Sequence, residues 1–503
     1  MKIRLNLILT ISLMSLLVMF SCKGKQSATT GWNYDDPKNG GFEYGNFVEQ
    51  QTGPGLVLIE GGTYSMGRVE QDVMYDWNNL PRRVTVPSFY MDQFEVRNVD
   101  YREYLYWVKR VYLDYPEVYK KALPDSLVWR RKLGYNEPYV DNYFRHPAYR
   151  EYPVVGVSWV QANQYCKWRT DRVNEDILIR YGILKMNHDQ IAEDNFDTDS
   201  YLAGQYEGIV KQDIQNLDPY LDTRKVRLED GIFLPKYRLP TEAEWEFAAL
   251  ALVGNTVDER VYERKLYPWN GHFVRNKDQK ERGRMMANYV RAHGDMMGVA
   301  GSLNDGAAIS NTVDSYWPNE YGLYCMAGNV NEWVMDVYRA GSSLDFEEFR
   351  PYRGNVFQKR VVDEEGYIAE KDSLGRIKWI DVTEEDCLDR SNYSKSDNIN
   401  YLDGDFASSL QENSTNYSNV DSEIKHNTKR MYRTPNNKAL GTDDPRDGKA
   451  RSFISDRARV YKGGSWEDRT YWLVPGSRRF LDETKAKRDL GFRCAMDRVG
   501  TPY

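Results

Sequence analysis

The stretch "YKGGSWEDRTYWLVPGSRRF", residues 461–480, decides how the chain is read. A strand-like run ends at Gly463-Gly464, and a charged, aromatic loop follows. The loop holds neither Cys nor His. Its only candidate nucleophiles are hydroxyls with no base close by in sequence, so it lacks the parts of common nucleophilic or metal chemistry.

Working outward, the chain begins "MKIRLNLILTISLMSLLVMFSCKGK": two basic residues, an apolar run too short to span a bilayer, then Ser21-Cys22. Residues 1–21 read as a signal peptide. Cys22 stands as the lipidated residue of a lipobox-like site, and 22–54 as a polar tether rich in Gly, Asn and Asp. Removal of Lys2 and Arg4 with the signal leaves 66 basic against 75 acidic residues, a net charge of −9 that argues against nucleic acid as a partner.

Cys166, Cys325, Cys387 and Cys494 are far apart and form no CxxC pair, which excludes zinc ribbons and thioredoxin-like sites. The five His show no HxxxH or HExxH spacing, and neither GxxxxGK[ST] nor GxGxxG occurs. In "GLVLIEGGTYSMG" an apolar run, a Gly61-Gly62 break and an alternating run predict a β-hairpin. Asn98 is expected to cap a helix whose Tyr101, Leu105 and Val108 face inward. Ser158–Gln161 and Thr241–Glu244 are capping boxes that predict two further short helices. Segments 112–150 and 183–233 read as irregular loops. The polar 341–449 reads as a long insertion, partly disordered, because it carries too little apolar surface to offset chain entropy.

Seven motifs occur in order: "GGTYSMG" (61–67), "FYMDQFEVRNVDYREY" (89–104), "YPVVGVSWVQANQYCKW" (152–168), "YRLPTEAEWEFAA" (237–249), "YPWNG" (267–271), "NEYGLYCMAGNVNEWVMD" (319–336) and "VYKGGSW…GFRCAMD" (460–497). Their order resembles the formylglycine-generating-enzyme, or sulfatase-modifying-factor, family. The resemblance implies an irregular α+β, C-type-lectin-like fold with long loop insertions. The domain would run over 55–340, resume at 450–498 after the 341–449 insertion, and end in a 499–503 tail.

In oxidase members the loop after the GGS motif carries two copper-binding cysteines. Counted from Gly463-Gly464-Ser465, those positions fall on Asp468 and Leu473. Copper(I) wants soft thiolates, so the resemblance implies a scaffold without that chemistry: no catalytic residue and no catalytic cofactor. An iron-dependent branch of the fold needs a His cluster, which the five His here do not form. The same likeness implies structural calcium. One site would use Asn288 and Asp305 side chains with Tyr289 and Ala307 carbonyls. A second would use Gly328 and Val330 carbonyls with the Glu332 carboxylate, with Cys325 standing where the family places an Asn ligand. Cys166 and Cys494 match positions that are disulfide-bonded in some members; free buried thiols are the alternative.

The lipobox, the tether and "YNEPYVDNYFRHPAYREYPVVGVSW" also resemble the gliding-motility lipoproteins of Bacteroidetes, the J type more than the K type. This implies a non-enzymatic component of the gliding and type IX secretion machinery, lipid-anchored on the periplasmic face of the outer membrane. Its implied partners are sister lipoproteins of the K type and associated ring components. Trp466, Arg469, Tyr471 and Trp472, with Arg478 and Arg479 nearby, are the expected contact surface, since aromatic and Arg anchors dominate interfaces. The alternatives are a lectin-like module for glycan or peptidoglycan and, third, a formylglycine-generating-type oxidoreductase.

Overall fold

The 56–66 segment forms two strands, as its pattern requires, but they do not pair with each other. In the computed structural model, which describes residues 26–45, 47–67, 79–218, 220–254, 265–291, 306–338, 348–349, 351–354, 358–381, 433–434, 451–452 and 457–500, strand β1 (Leu56–Ile59) pairs with β4 (Phe89–Asp92). Strand β2 (Gly62–Met66) pairs with β3 (Arg82–Val86). Ile59 opposes Phe89 and Gly62 opposes Val86, so both ladders share one register. The result is a single long hairpin bent at Gly61 and Pro87. A Cβ on Gly61 would lie 2.3 Å from the Val86 carbonyl oxygen, and Pro87 has no N–H to continue the ladder.

Helix α1 (Asn98–Val111) buries Tyr101, Leu105 and Val108 as their spacing requires. Its cap falls one residue earlier than expected. Arg97 N–H donates to Asp100 Oδ2, while the Asn98 amide goes to the carbonyls of Tyr143 and Tyr149. Both capping boxes form. The first opens α2 (Trp159–Arg180), a 22-residue helix rather than a short one, and the second opens α3 (Glu242–Leu250), every residue of which is buried.

Two four-stranded sheets frame the core. One has the order β1-β4-β10-β5, where β5 is Tyr237–Arg238 and β10 is Ala495–Asp497. The other has the order β8-β7-β6-β9, where β6 is Asn331–Val337, β7 Ala458–Lys462, β8 Arg479–Asp482 and β9 Leu490–Gly491. Strand β9 runs parallel to β6 and the remaining pairs are antiparallel. Segments before 340 and after 450 therefore share both sheets, an α+β arrangement.

Segments read as loops, insertion or tether are built into the body. Within 112–150, short helices form at Pro116–Ala122 and Glu137–Asn142, and Trp129 and Tyr143 are buried. Within 183–233, Phe196, Tyr201, Tyr206 and Val226 form a small core with Leu178, Ile183 and Leu184. Within 341–449, residues 358–381 form a two-stranded ribbon and dock: the amide of Asn195 donates to Leu374 O at 2.8 Å and Ser200 Oγ donates to Gly375 O at 2.6 Å. The segment's polar composition hid this, because the docking rests on backbone carbonyls together with two apolar side chains, buried Ile377 and partly buried Leu374. Finally, the tether folds back from Gln26 onward. Residues 1–25, most of 382–450, Cys22, Cys387 and Asp305 lie outside the described residues.

Candidate functional site

The loop after β7 turns on two glycines with φ +100° and +71°. A Cβ on Gly463 would meet the Trp245 ring at 3.1 Å, and one on Gly464 the Trp472 backbone at 2.9 Å, so both positive φ and close approach require glycine.

Asp468 sits at the centre of this turn. Its carboxylate accepts two hydrogen bonds from Arg479, Nη1 to Oδ1 at 2.8 Å and Nη2 to Oδ2 at 2.7 Å. Ser465 Oγ donates to Oδ2 at 2.7 Å, and the Asn331 amide donates at 3.1 Å. Burial alone would raise this carboxyl, but the Arg479, Ser465 and Asn331 donors outweigh it and hold Asp468 below the usual carboxylate range. The Arg479 guanidinium is in turn held over the Trp472 ring at 4.4 Å and the Tyr461 ring at 4.9 Å. Asp489 takes bonds from Asn331 and Ser465, and burial, then the Asp468 charge, push its carboxyl up.

Leu473 is completely buried among Tyr267, Met285, Ala287, Tyr289, Ala327 and Val474. Thus one presumptive copper position is a saturated ion pair and the other is packed in hydrocarbon. Neither offers a soft donor, and the residues present do not fit copper(I).

The expected contact residues are half-buried or exposed, and most are engaged within the protein itself. Trp466 stacks on Trp129 with centroids 6.1 Å apart and carries Arg488 over its ring. Arg478 is buried against Glu242, and Arg479 is committed to Asp468. Tyr471 and Trp472 are half-buried and pack edge to face, leaving Arg469 as the exposed member. The aromatic and Arg composition that suggested an interface serves the loop's own packing.

The calcium expectations meet a mixed geometry. Asn288 is buried; its amide donates to Ile309 O at 2.8 Å, and its carbonyl accepts Asn329 N–H at 3.0 Å. Tyr289 is buried too, and Ala307 stands at the edge of a stretch outside the described residues. At the second site Gly328 and Val330 flank Asn329 in a turn with positive φ at 328 and 329. Glu332, however, is clasped by Arg493 at 2.6 and 2.7 Å and accepts Trp245 Nε1–H at 2.8 Å. A cation using Glu332 would have to contend with that guanidinium. Cys325 is buried with its Sγ 3.4 Å from Val313 O. Among the described residues no group of three or more His, Cys, Asp or Glu is arranged to hold a metal.

Cys166, on α2, and Cys494, beside β10, come together as the resemblance implies, with buried Sγ atoms 3.4 Å apart. They stand as thiols, outside bonding distance.

Sequence reasoning missed a buried ionic network beneath the loop. Lys462 Nζ lies 3.1 Å from Glu242 and 2.7 Å from Glu246; Arg478 reaches Glu242 at 2.8 Å; the Glu242 N–H donates to Asp336 at 2.7 Å. Despite its burial, Arg478 and Lys462 hold the Glu242 carboxyl down to about 2, whereas burial and the Glu242 charge push Asp336 up to about 7. Part of the signal was legible: Glu242, Glu244 and Glu246 alternate with apolar residues in a helix that is buried throughout, so each carboxylate calls for a cationic partner, and Lys462 ends a strand that is largely buried.

With this geometry in place, comparison with known proteins is decisive on one point. The FGE-sulfatase family, described as the Sulfatase-modifying factor enzyme 1-like domain, matches residues 44–378, two thirds of the chain. The chain belongs to the FGE-sulfatase family. The mouse Formylglycine-generating enzyme is 24% identical over 347 residues, 64% of this chain and 68% of that protein. The cattle protein called Inactive C-alpha-formylglycine-generating enzyme 2 is 25% identical over 317 residues, 59% of this chain and 75% of that one. FGE-sulfatase relatives thus include both a named enzyme and a member named inactive. Among solved structures, PvdO from Pseudomonas aeruginosa aligns over 88% of this chain and 94% of that chain at 13% identity, with a TM-score of 0.39.

Proposed function

We propose that this FGE-sulfatase chain is a non-catalytic, lipid-anchored scaffold component of a gliding-motility and type IX secretion apparatus, held at the periplasmic face of the outer membrane through Cys22. The observation that carries the non-catalytic reading is the Asp468–Arg479 pair beside a hydrocarbon-packed Leu473, where the oxidase chemistry would need two thiolates. The lipobox-like Ser21-Cys22 and the motifs shared in style with gliding lipoproteins support the location and the partners, K-type sister lipoproteins and ring components. Among the described residues no helix is long and apolar enough to cross a membrane. The test is cross-linking mass spectrometry on detergent-solubilised outer membranes. Acylated Cys22 and secretion-machine partners at stoichiometric yield are expected; a solitary, unacylated protein would refute the proposal.

One observation favours glycan or peptidoglycan binding as a second reading. A cleft of about 500 Å³ between α2 and the 358–381 ribbon is lined by Asn163, Lys167, Asp171, Asp199, Lys236 and the partly exposed Trp379. Polar side chains around an accessible indole suit a sugar with both hydroxyls and an apolar face. Saturable binding of peptidoglycan fragments, lost in Trp379→Ala, would establish it; no binding by the wild type would remove it.

A further inference from the structure

The tether is not a free linker, and that fixes which surface would meet the bilayer. Ser27 N–H donates to Trp32 O at 2.8 Å, and Gln26 bridges to Asn33, so the tether is already folded at Gln26. Tyr34 stacks on Tyr44 with centroids 4.9 Å apart and meets Phe42 at 5.5 Å. This aromatic knot is pinned to the body. Glu43 pairs with Arg224, which also holds Asp230 at 2.7 Å, and a Cβ on Gly41 would lie 2.1 Å from Leu217 O.

The outer side of the knot is apolar and open. Trp32 is 60% exposed, Phe42 63% and Phe47 74%, and Val48, Tyr220 and Leu221 are exposed beside them in the chain segments that the knot joins. Phe42 packs on Tyr34 and Trp32 lies beside Gly40, so both belong to the knot, and large apolar side chains exposed in so short a stretch favour a contact surface over scattered exposure. Only three residues lie between Cys22 and Gln26, four residue steps that reach about 14 Å when fully extended.

We infer that this aromatic knot seats in the headgroup region of the membrane that anchors the protein, so that the body lies against the bilayer. The inference rests on the lipidation of Cys22 proposed above. An acylated Cys within that reach holds Gln26, and Trp32 and Asn33 bonded beside it, close to the lipid surface. Trp and Phe favour the interface, where one side is apolar and the other wet. Glu43 and Arg224 pair with each other, so the seat is argued from apolar burial.

The test uses the full acylated chain reconstituted in phosphatidylethanolamine–phosphatidylglycerol vesicles, with Cys22→Ser as the soluble reference. Flotation reads the anchor and hydroxyl-radical footprinting reads the seat. Wild type should float and Cys22→Ser should not. In the floated protein, oxidation of Trp32, Phe42 and Phe47 should fall several-fold, while Tyr135, 84% exposed elsewhere, is unchanged. A Phe42→Asp/Phe47→Asp variant should still float but regain oxidation at Trp32. Equal oxidation of Trp32, Phe42 and Phe47 in floated and soluble protein would overturn the seat while leaving the anchor intact. Failure of the wild type to float would overturn the anchor and the seat with it. Protection that grows with protein density at fixed lipid would assign the surface to a second copy and overturn the membrane assignment.

Discussion

Replacing Arg479 with Ala removes the guanidinium and leaves the Asp468 carboxylate, 13% exposed, next to Asp489 with only Ser465 and Asn331 as donors. Breaking a fully buried pair from one side costs about 3–5 kcal/mol; with Arg479 itself 19% exposed, about 2–4 kcal/mol is expected here. The loss should depend on pH with a definite sign. Asp468 titrates below its ordinary value in the wild type, so its stabilisation is present above the unfolded carboxylate value and fades as pH falls through the folded one. In Arg479→Ala the carboxyl can take up a proton to relieve the deficit, so the gap between variant and wild type should be widest near neutrality and narrow on acidification. Urea unfolding of both proteins at neutral and mildly acidic pH measures this. In Asp468→Ala/Arg479→Ala the penalty should be smaller than the sum of the single losses, by roughly 0.5–3 kcal/mol. A neutral-pH loss within about 0.5 kcal/mol, the range of ordinary surface substitutions, would show that the pair does not hold the loop.

Lys462→Met leaves Glu246 without its cation and Glu242 with Arg478 alone, and should destabilise by about 3–5 kcal/mol in urea unfolding, unlike a surface Lys substitution. The Asp336 carboxyl, raised to about 7, makes the opposite pH contribution to Asp468: the folded state binds more protons between the unfolded carboxylate value and neutrality, so stability from this group falls as pH rises through that window. Comparing wild type with Asp336→Asn by thermal unfolding across that window should show a flatter profile for the variant. Mild oxidation should join Cys166 to Cys494, detected as a cross-linked peptide, and stabilise the chain by up to about 6 kcal/mol in the loop-entropy picture; Cys166→Ser should abolish both effects.

Much of this was legible in the sequence wherever local chemistry and tertiary packing agree. The capping boxes at Ser158 and Thr241 and the inward face of α1 needed only nearest neighbours along a helix. Pairing did not. Whether β1 meets β2 or β4 depends on Pro87 and on backbone packed against Gly61, neither of which an alternation pattern records. The emptiness of the copper positions was visible as Asp468 and Leu473, but not what replaced it. Arg479 is eleven residues away and Asn331 on another strand, so the ion pair exists only after β6, β7 and β8 assemble. Composition is least decisive around Trp466 and Trp472, since an aromatic and Arg-rich loop reads the same whether it grips a partner or itself.

Retention of the FGE-sulfatase fold without its oxidase chemistry is tested most directly by offering the purified chain copper(I), oxygen and a cysteine-containing peptide, then weighing the peptide and the bound metal. The expected result is unchanged peptide mass and no copper retained against a thiol competitor. Conversion of the cysteine to an aldehyde, dependent on copper and lost in Asp468→Ala, would contradict it.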